Sequence, residues 1–384
     1  LTPGVEAGVD VLLRDSRSIL DASVGLITNQ SAVTKDLTPT VEALHSHRDI
    51  RLTALYSPEH GLYGDIQDAV PIEHHTDPET GLPVYSLYGE TRRPMGEMLE
   101  GVDLLLFDLQ DVGARFYTYA STLTYALEAA AEVAIPLILL DRPNPITGVH
   151  VEGKILEPGY ESFIGLHRIP IRHGLTLGEL ALLANEAIGA ELRIIPIEGW
   201  RRDMWFDETS LPWVPPSPNM PTMDTAIVYP GTCLFEGTNL SEGRGTTKPF
   251  ELIGAPWINP HRWAGHLNSL GLPGVRFRPC HFKPTFSKHA GERCGGVQIH
   301  VLDRERFKPV ETALHMLQSL MELWPEELRW LPSEGMIPLI DLLYGGAELR
   351  MALERGLPVE EVVEGWGEDL DRYRERLDGI LLYE

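Results

Sequence analysis

Through its first two hundred residues the chain alternates two kinds of apolar pattern. Short unbroken runs have the length and branching of strands buried on both faces: Ser23–Thr28 (SVGLIT), Arg51–Tyr56 (RLTALY), Asp103–Asp108 (DLLLFD) and Ile135–Asp141 (IPLILLD). Between them lie helical stretches: Leu37–His47 after the cap residues Asp36 and Thr38, Arg93–Leu99, and Tyr119–Ala134, which holds no Pro or Gly. A further pair follows, a helix over Thr176–Ala190 opened by the capping box Thr176-x-x-Glu179, then a strand over Glu191–Glu198. Alternation at this spacing predicts right-handed crossovers and an α/β fold with a doubly wound, mostly parallel sheet.

From about Pro212 the texture changes. A Pro-rich PWVPPSPNMP leads into a Gly/Thr/Glu-rich loop, predicted over Tyr229–Phe250. Strands over Gly274–Lys283 and Gly295–Asp303 and helices over Val310–Leu323 and Glu360–Leu377 follow. The pattern predicts a first domain over 1–224 and a smaller α+β domain over 225–384, and 384 residues suit two domains. The acidic tract Glu360–Asp371 is interrupted by Val, Trp and Leu and reads as the solvated face of a helix.

Charge narrows the function. With 32 Lys+Arg against 56 Asp+Glu the chain carries −24, which argues against broad nucleic-acid binding and adhesion to anionic membranes. No run approaches the ~18 apolar residues of a membrane span. Cys233, Cys280 and Cys294 are odd in number and lack CxxC spacing. They read as three buried free thiols, with Cys280–Cys294 the one bridge left open. The chain begins at Leu1 and not Met, so its compartment is left open: secreted or periplasmic after loss of a signal segment, or cytoplasmic.

In an open parallel sheet the strand ends converge on one edge, and here each runs into polar, turn-forming residues. They deliver Asn29, then Glu59 and His60, then Asp111, Arg115, Tyr117 and Tyr119, then Asn144. Asn219 follows in the Pro-rich stretch, and Glu236, Asn239, Glu242 and Arg244 in the glycine-rich loop. Carboxylates, amides and aromatic rings together suit a carbohydrate, with acceptors for hydroxyls and ring faces for the C–H side of a sugar. Plainer readings stand beside some of these: an Asx-turn for Asn144, a core phenol for Tyr119, an ion pair with Asp108 or Asp111 for Arg115.

No P-loop ending, GxGxxG after the first strand, GxSxG elbow or metal-ligand spacing is present; His45/His47 and His74/His75 read as surface histidines. No metal or cofactor is expected. General acid/base chemistry by carboxylates is the simplest reading, with Glu59 its best candidate, expected near Tyr56 and Tyr63.

The segments SPEHGLYGD, QDVGARFYTY, LDRPNP, SPNMP and above all GTCLFEGTNLSEGRGTTKPFE resemble those of the NamZ-type exo-β-N-acetylmuramidases, a bacterial family long known only as a domain of unknown function. The likeness extends from GLITNQS to the closing ILLYE. It implies a Rossmann-like domain plus a smaller one, with the site in the cleft between them. It also implies release of N-acetylmuramic acid from the non-reducing end of peptidoglycan fragments, by cleavage of its β-1,4 bond to N-acetylglucosamine. The PEHG glutamate, suspected as catalytic in the family, is Glu59 here. Glu236, Glu242 or Asp111 is then the second carboxylate, unless the substrate's own 2-acetamido group attacks, oriented by Asn239 or Asn144. Arg115 and Arg244 are the candidates to meet the lactyl carboxylate. A non-catalytic muropeptide sensor, or another amino-sugar hydrolase such as an amidase or transglycosylase, is the alternative.

Overall fold

A computed structural model describes residues 4–67, 70–333 and 335–384; Leu1 lies outside them. The larger sheet contains β1 (Ser23–Thr28), β2 (Arg51–Ser57), β3 (His75–Thr76), β4 (Pro83–Ser86), β5 (Leu104–Asp108), β6 (Leu137–Leu140) and β7 (Leu192–Ile195). Their order is β3-β4-β2-β1-β5-β6-β7, and every neighbouring pair is parallel except the edge pair β3–β4. The winding runs outward from β1 on one side and from β5 on the other. The crevice where it reverses, beyond the carboxyl ends of β1 and β5, is where such sheets bind ligands.

Alternation along each strand feeds two cores. In β5, Leu104 and Leu106 join Val9, Leu12 and Leu44 on one face, whereas Leu105 and Phe107 join the helices Tyr119–Val133 and Leu177–Ile188 on the other. Both faces are covered, which is why the strands read as unbroken apolar runs. The capping box forms: Thr176 Oγ1 accepts from the Glu179 N–H, and Glu179 Oε2 accepts from the Thr176 N–H.

Some expectations change. The helix predicted over Leu37–His47 shortens to Thr40–His45, because Pro39 sets its entry. Arg93–Leu99 yields only a 3₁₀ turn, Gly96–Leu99. Within the predicted loop Tyr229–Phe250, the first part is helical. Met223–Thr232 is a helix capped by Thr222 and it passes directly into a 3₁₀ turn, Cys233–Gly237. Pro230 falls in the last turn of this helix, where it gives no N–H to the carbonyl of Ala226. The predicted helix Glu360–Leu377 divides into Val359–Glu364 and Gly367–Arg376 around Gly365 and the buried Trp366.

The second sheet is antiparallel, β8 (Leu252–Ala255), β9 (Val275–Phe282) and β10 (Cys294–Val301) in the order β8-β10-β9. Helices Pro260–Ser269 and Pro309–Leu323 cover it. One apolar core runs unbroken from Ile27 of β1 through both sheets to Ile380. Cys233, Cys280 and Cys294 are free and buried. Among the described residues no helix is long and apolar enough to cross a membrane.

Candidate active site

Beyond the carboxyl ends of β2 and β5, four stretches of chain enclose a cavity of about 190 Å³. The turn after β2 supplies Glu59 and His60, the stretch after β5 supplies Phe116, Tyr117 and Thr118, and the Pro-rich segment supplies Ser217 and Asn219. The second half of the chain closes the far wall with Tyr229, Cys233, Glu236, Arg244 and Phe250.

The local conformation at Glu59 is tightly set. His60 takes φ 74° and Gly61 φ 79°, and the Gly61 N–H donates to Pro58 O. His60 Nδ1 lies 2.9 Å from Ile66 O. A carbonyl only accepts, so this nitrogen carries a proton and is the donor. Glu59 Oε2 accepts from Thr118 Oγ1 at 2.8 Å. Thr118 stands at the N-cap of helix Tyr119–Val133 but makes no side-chain cap bond; its hydroxyl serves Glu59 instead.

Glu236 sits on the opposing wall within a chain of opposite charges. Its Oε1 accepts from Arg244 Nη1 at 2.8 Å and from the Cys233 thiol at 3.4 Å. Burial, reinforced by Glu236, pushes Cys233 well above the usual thiol range, which keeps the sulfur a donor and no nucleophile. Arg244 Nη1 also reaches Glu242 Oε1 at 3.2 Å, and Lys288 Nζ lies 2.7 Å from Glu242 Oε2. Burial pushes the Glu242 carboxyl up, but Lys288 and Arg244 outweigh it and hold Glu242 below the ordinary carboxylate range. Lys288 donates further to the carbonyls of Phe235 and Thr238. Arg244 lies 4.8 Å over the ring of Phe250, which meets Tyr229 edge-on at 4.7 Å; Phe116 and Tyr117 continue that aromatic wall.

Of the residues predicted from sequence, Glu59, His60, Tyr117, Asn219, Glu236 and Arg244 line this cavity. The others do not. Glu242 lies behind Arg244, 2% exposed. Arg115 is buried with its guanidinium on the carbonyls of Lys154, Ile169, Leu343 and Tyr344, so neither Asp108 nor Asp111 is its partner. Asp108 pairs instead with Arg142. Asp111 is buried, accepting from the Gly113 N–H, with His173 Nε2 at 3.6 Å. Asn29 donates to Tyr119, whose hydroxyl donates to Pro216 O. Asn144 forms the Asx-turn to Ile146 and donates to Leu175 O. Asn239 clasps Glu327 O and the Arg329 N–H. These seven brace the walls. Tyr56 and Tyr63 do not cover Glu59: the Tyr56 hydroxyl is bound to Met98 O, and Tyr63 is half exposed and bound to Asp77.

Nearly the whole chain is similar to known proteins. Residues 24–224 match the family Exo-beta-N-acetylmuramidase NamZ, N-terminal, and residues 227–383 match its C-terminal counterpart. The chain belongs to the NamZ exo-β-N-acetylmuramidase family. Peptidoglycan beta-N-acetylmuramidase NamZ of Bacillus subtilis (strain 168) is 49% identical over 99% of this chain and 92% of its own. Among solved structures, a DUF1343 family protein of Bacteroides fragilis superposes with a TM-score of 0.90 at 38% identity, covering 99% of each chain. A second from the same organism reaches 0.80 at 28% identity over 100% of this chain and 99% of its own.

This NamZ-family site also holds residues that the sequence reading passed over. Thr118 and Cys233 lay inside quoted motifs but carried no obvious chemistry. Lys288 lies outside every motif and reaches the site only through folding. Arg92, exposed, stacks 4.3 Å over Phe163 and 5.5 Å over Tyr88, and Tyr88 lines the cavity. Among the described residues, no cluster of three or more His, Cys, Asp or Glu could hold a metal ion.

Proposed function

We propose that this chain is an exo-acting glycoside hydrolase that frees N-acetylmuramic acid from the non-reducing end of peptidoglycan fragments by cutting its β-1,4 bond to N-acetylglucosamine. The observation that carries the reading is the meeting of Glu59 and Glu236 in one cavity of about 190 Å³, within a chain of this family. That volume is below the ~300–1,000 Å³ usual for ligand pockets, so it suits the end of a glycan and not a glycan crossing the site. The carboxyl of Glu59, held by Thr118, gives its proton to the glycosidic oxygen as the C1–O bond breaks. Glu236, oriented by Arg244 and Cys233, faces the positive charge that develops on the sugar ring. The proton delivered to the leaving oxygen comes from Glu59 whether water or the 2-acetamido oxygen attacks C1. Arg244, and Arg92 on its aromatic shelf at the rim, meet the lactyl carboxylate that distinguishes the muramic sugar.

Glu59→Gln tests this, because glutamine keeps the acceptor for Thr118 and removes the proton. Turnover of an aryl β-N-acetylmuramide should fall about 10²–10⁴-fold with unfolding unchanged. Near-normal release by the variant would refute the assignment, and release of peptide instead of free sugar would point to an amidase.

A further inference from the structure

An enzyme whose catalytic cavity admits one sugar must lead the rest of the glycan away from it, and the molecule holds larger hollows. One, of about 520 Å³, is lined by Lys154, Arg168 and Arg372 and shares no lining residue with the cavity. A second, of about 440 Å³, is lined by Glu42, Asp77 and Glu79 and shares none either. A third, of about 780 Å³, shares Asn219 with the cavity, and Asn219 donates to Gln67 where the two spaces meet. No carboxylate lines this third groove among the described residues, although the chain as a whole carries −24. It presents Lys283 and His281, both exposed, beside the half-buried rings of Phe282 and Phe286.

We propose that this groove receives the reducing-side part of the glycan, and that Lys283 meets the carboxylate of the next muramic residue beyond the cleaved bond. The inference rests on the proposed function above and adds a second, charge-selecting subsite. The shared wall at Asn219 and the charge together choose the direction, since a muramic carboxylate is repelled by the hollow with three acids and attracted to the adjoining groove with a lysine. Aromatic rings offer apolar faces to the C–H side of sugar rings. The groove and the cavity are also held in fixed register. The Thr285 N–H and hydroxyl both donate to Gly245 O, and Lys288, three residues further on, is anchored to Phe235, Thr238 and Glu242 of the catalytic wall. A chain seated in the groove is thereby aligned with the sugar in the cavity.

The test compares kcat/KM on an aryl β-N-acetylmuramide, which has no reducing-side glycan, with that on the tetrasaccharide formed by two muramyl-glucosamine units. In Lys283→Glu the tetrasaccharide-to-aryl ratio should fall at least about tenfold from wild type, mostly through KM, and Lys283→Arg should restore it. Glu42→Gln, in the acidic hollow, should leave the ratio at the wild-type value. Equal ratios in wild type and Lys283→Glu overturn the groove assignment, as does a ratio that follows Glu42 instead. Wild-type protein that cleaves neither substrate overturns the function on which the inference rests. A thermal unfolding curve of Lys283→Glu that overlays wild type ties any change in ratio to the groove itself.

Discussion

At the residue scale the two glutamates of the glycine-rich segment are the instructive pair. They stand six positions apart in one motif, and sequence offered both as catalytic. The fold separates them by burial and charge: Glu236 lines the cavity, whereas Glu242 is shut behind Arg244 and neutralised by two cations. Glu236→Gln should therefore lower kcat by about 10²-fold or more while leaving the melting temperature nearly unchanged. Glu242→Gln strands Lys288 and Arg244 around a neutral side chain, and breaking such a buried pair costs about 3–5 kcal/mol. Its main effect should appear in thermal or urea unfolding, with activity lost only as a consequence of a loosened Arg244. The wild-type arrangement is acid-sensitive in a defined sense. A carboxyl held below its ordinary range contributes stability that is complete above its unfolded pKa, about 4.3. That contribution is lost as pH falls through the folded value, and Glu242→Gln should abolish this part of the acid response. Which glutamate was exposed could not be read from spacing, because the cation that buries Glu242 comes from position 288, far outside the motif.

At the scale of elements, the strands were legible because both faces of the sheet are covered and their sequences are uniformly apolar. The short strands β3, at the edge, and β4 beside it were not, since His75 and Thr76 are exposed and Pro83 opens β4. The glycine-rich segment misled for a related reason: its first part is a helix buried all round, without the amphipathic period that reveals a surface helix. The remaining glycines earn their place by close approach. Gly245 takes φ 76°, and a Cβ there would stand 2.7 Å from the backbone of Phe286. Gly245→Ala should consequently push the segment from Thr285 to Lys288 off the catalytic wall. We expect a loss of about 1–3 kcal/mol in unfolding free energy. Lys288, which positions Glu242 and touches no substrate, gives the companion test. Lys288→Met should lower kcat and shift the pH–rate profile through Arg244 and Glu236, and Lys288→Arg should recover most of both. A variant that merely destabilises the fold would leave the profile of its folded fraction unmoved.

At the scale of the whole molecule, the division proposed after residue 224 separates two sheets but not two cores, since one apolar cluster runs through both. The end of the chain returns to the first sheet. The Tyr383 hydroxyl donates to Asp141 Oδ2 at 2.6 Å and accepts from the Ile197 N–H, and the Leu382 N–H donates to Glu179. This closure was invisible in the sequence, where ILLYE is merely a recognisable ending. It makes Tyr383→Phe a probe of the assembly, because the change deletes one hydroxyl and leaves Asp141 buried with fewer donors. Burial raises Asp141 to about 6, while Tyr383, Thr176 and the Gly178 N–H pull it back. The stability that this carboxyl contributes is complete below about pH 4, its unfolded range, and is lost as pH rises through about 6. Tyr383 offsets that loss by donating to the ionised form. Its removal should therefore cost more at pH 8, where Asp141 is charged, than at pH 5, where it is largely protonated. The expected difference is about 1–3 kcal/mol at the alkaline end, read as a larger fall in melting temperature. Calorimetry should show one transition in both proteins, with its enthalpy spanning both sheets. Two resolved transitions, with only the earlier moved by Tyr383→Phe, would show that the shared core does not couple the halves.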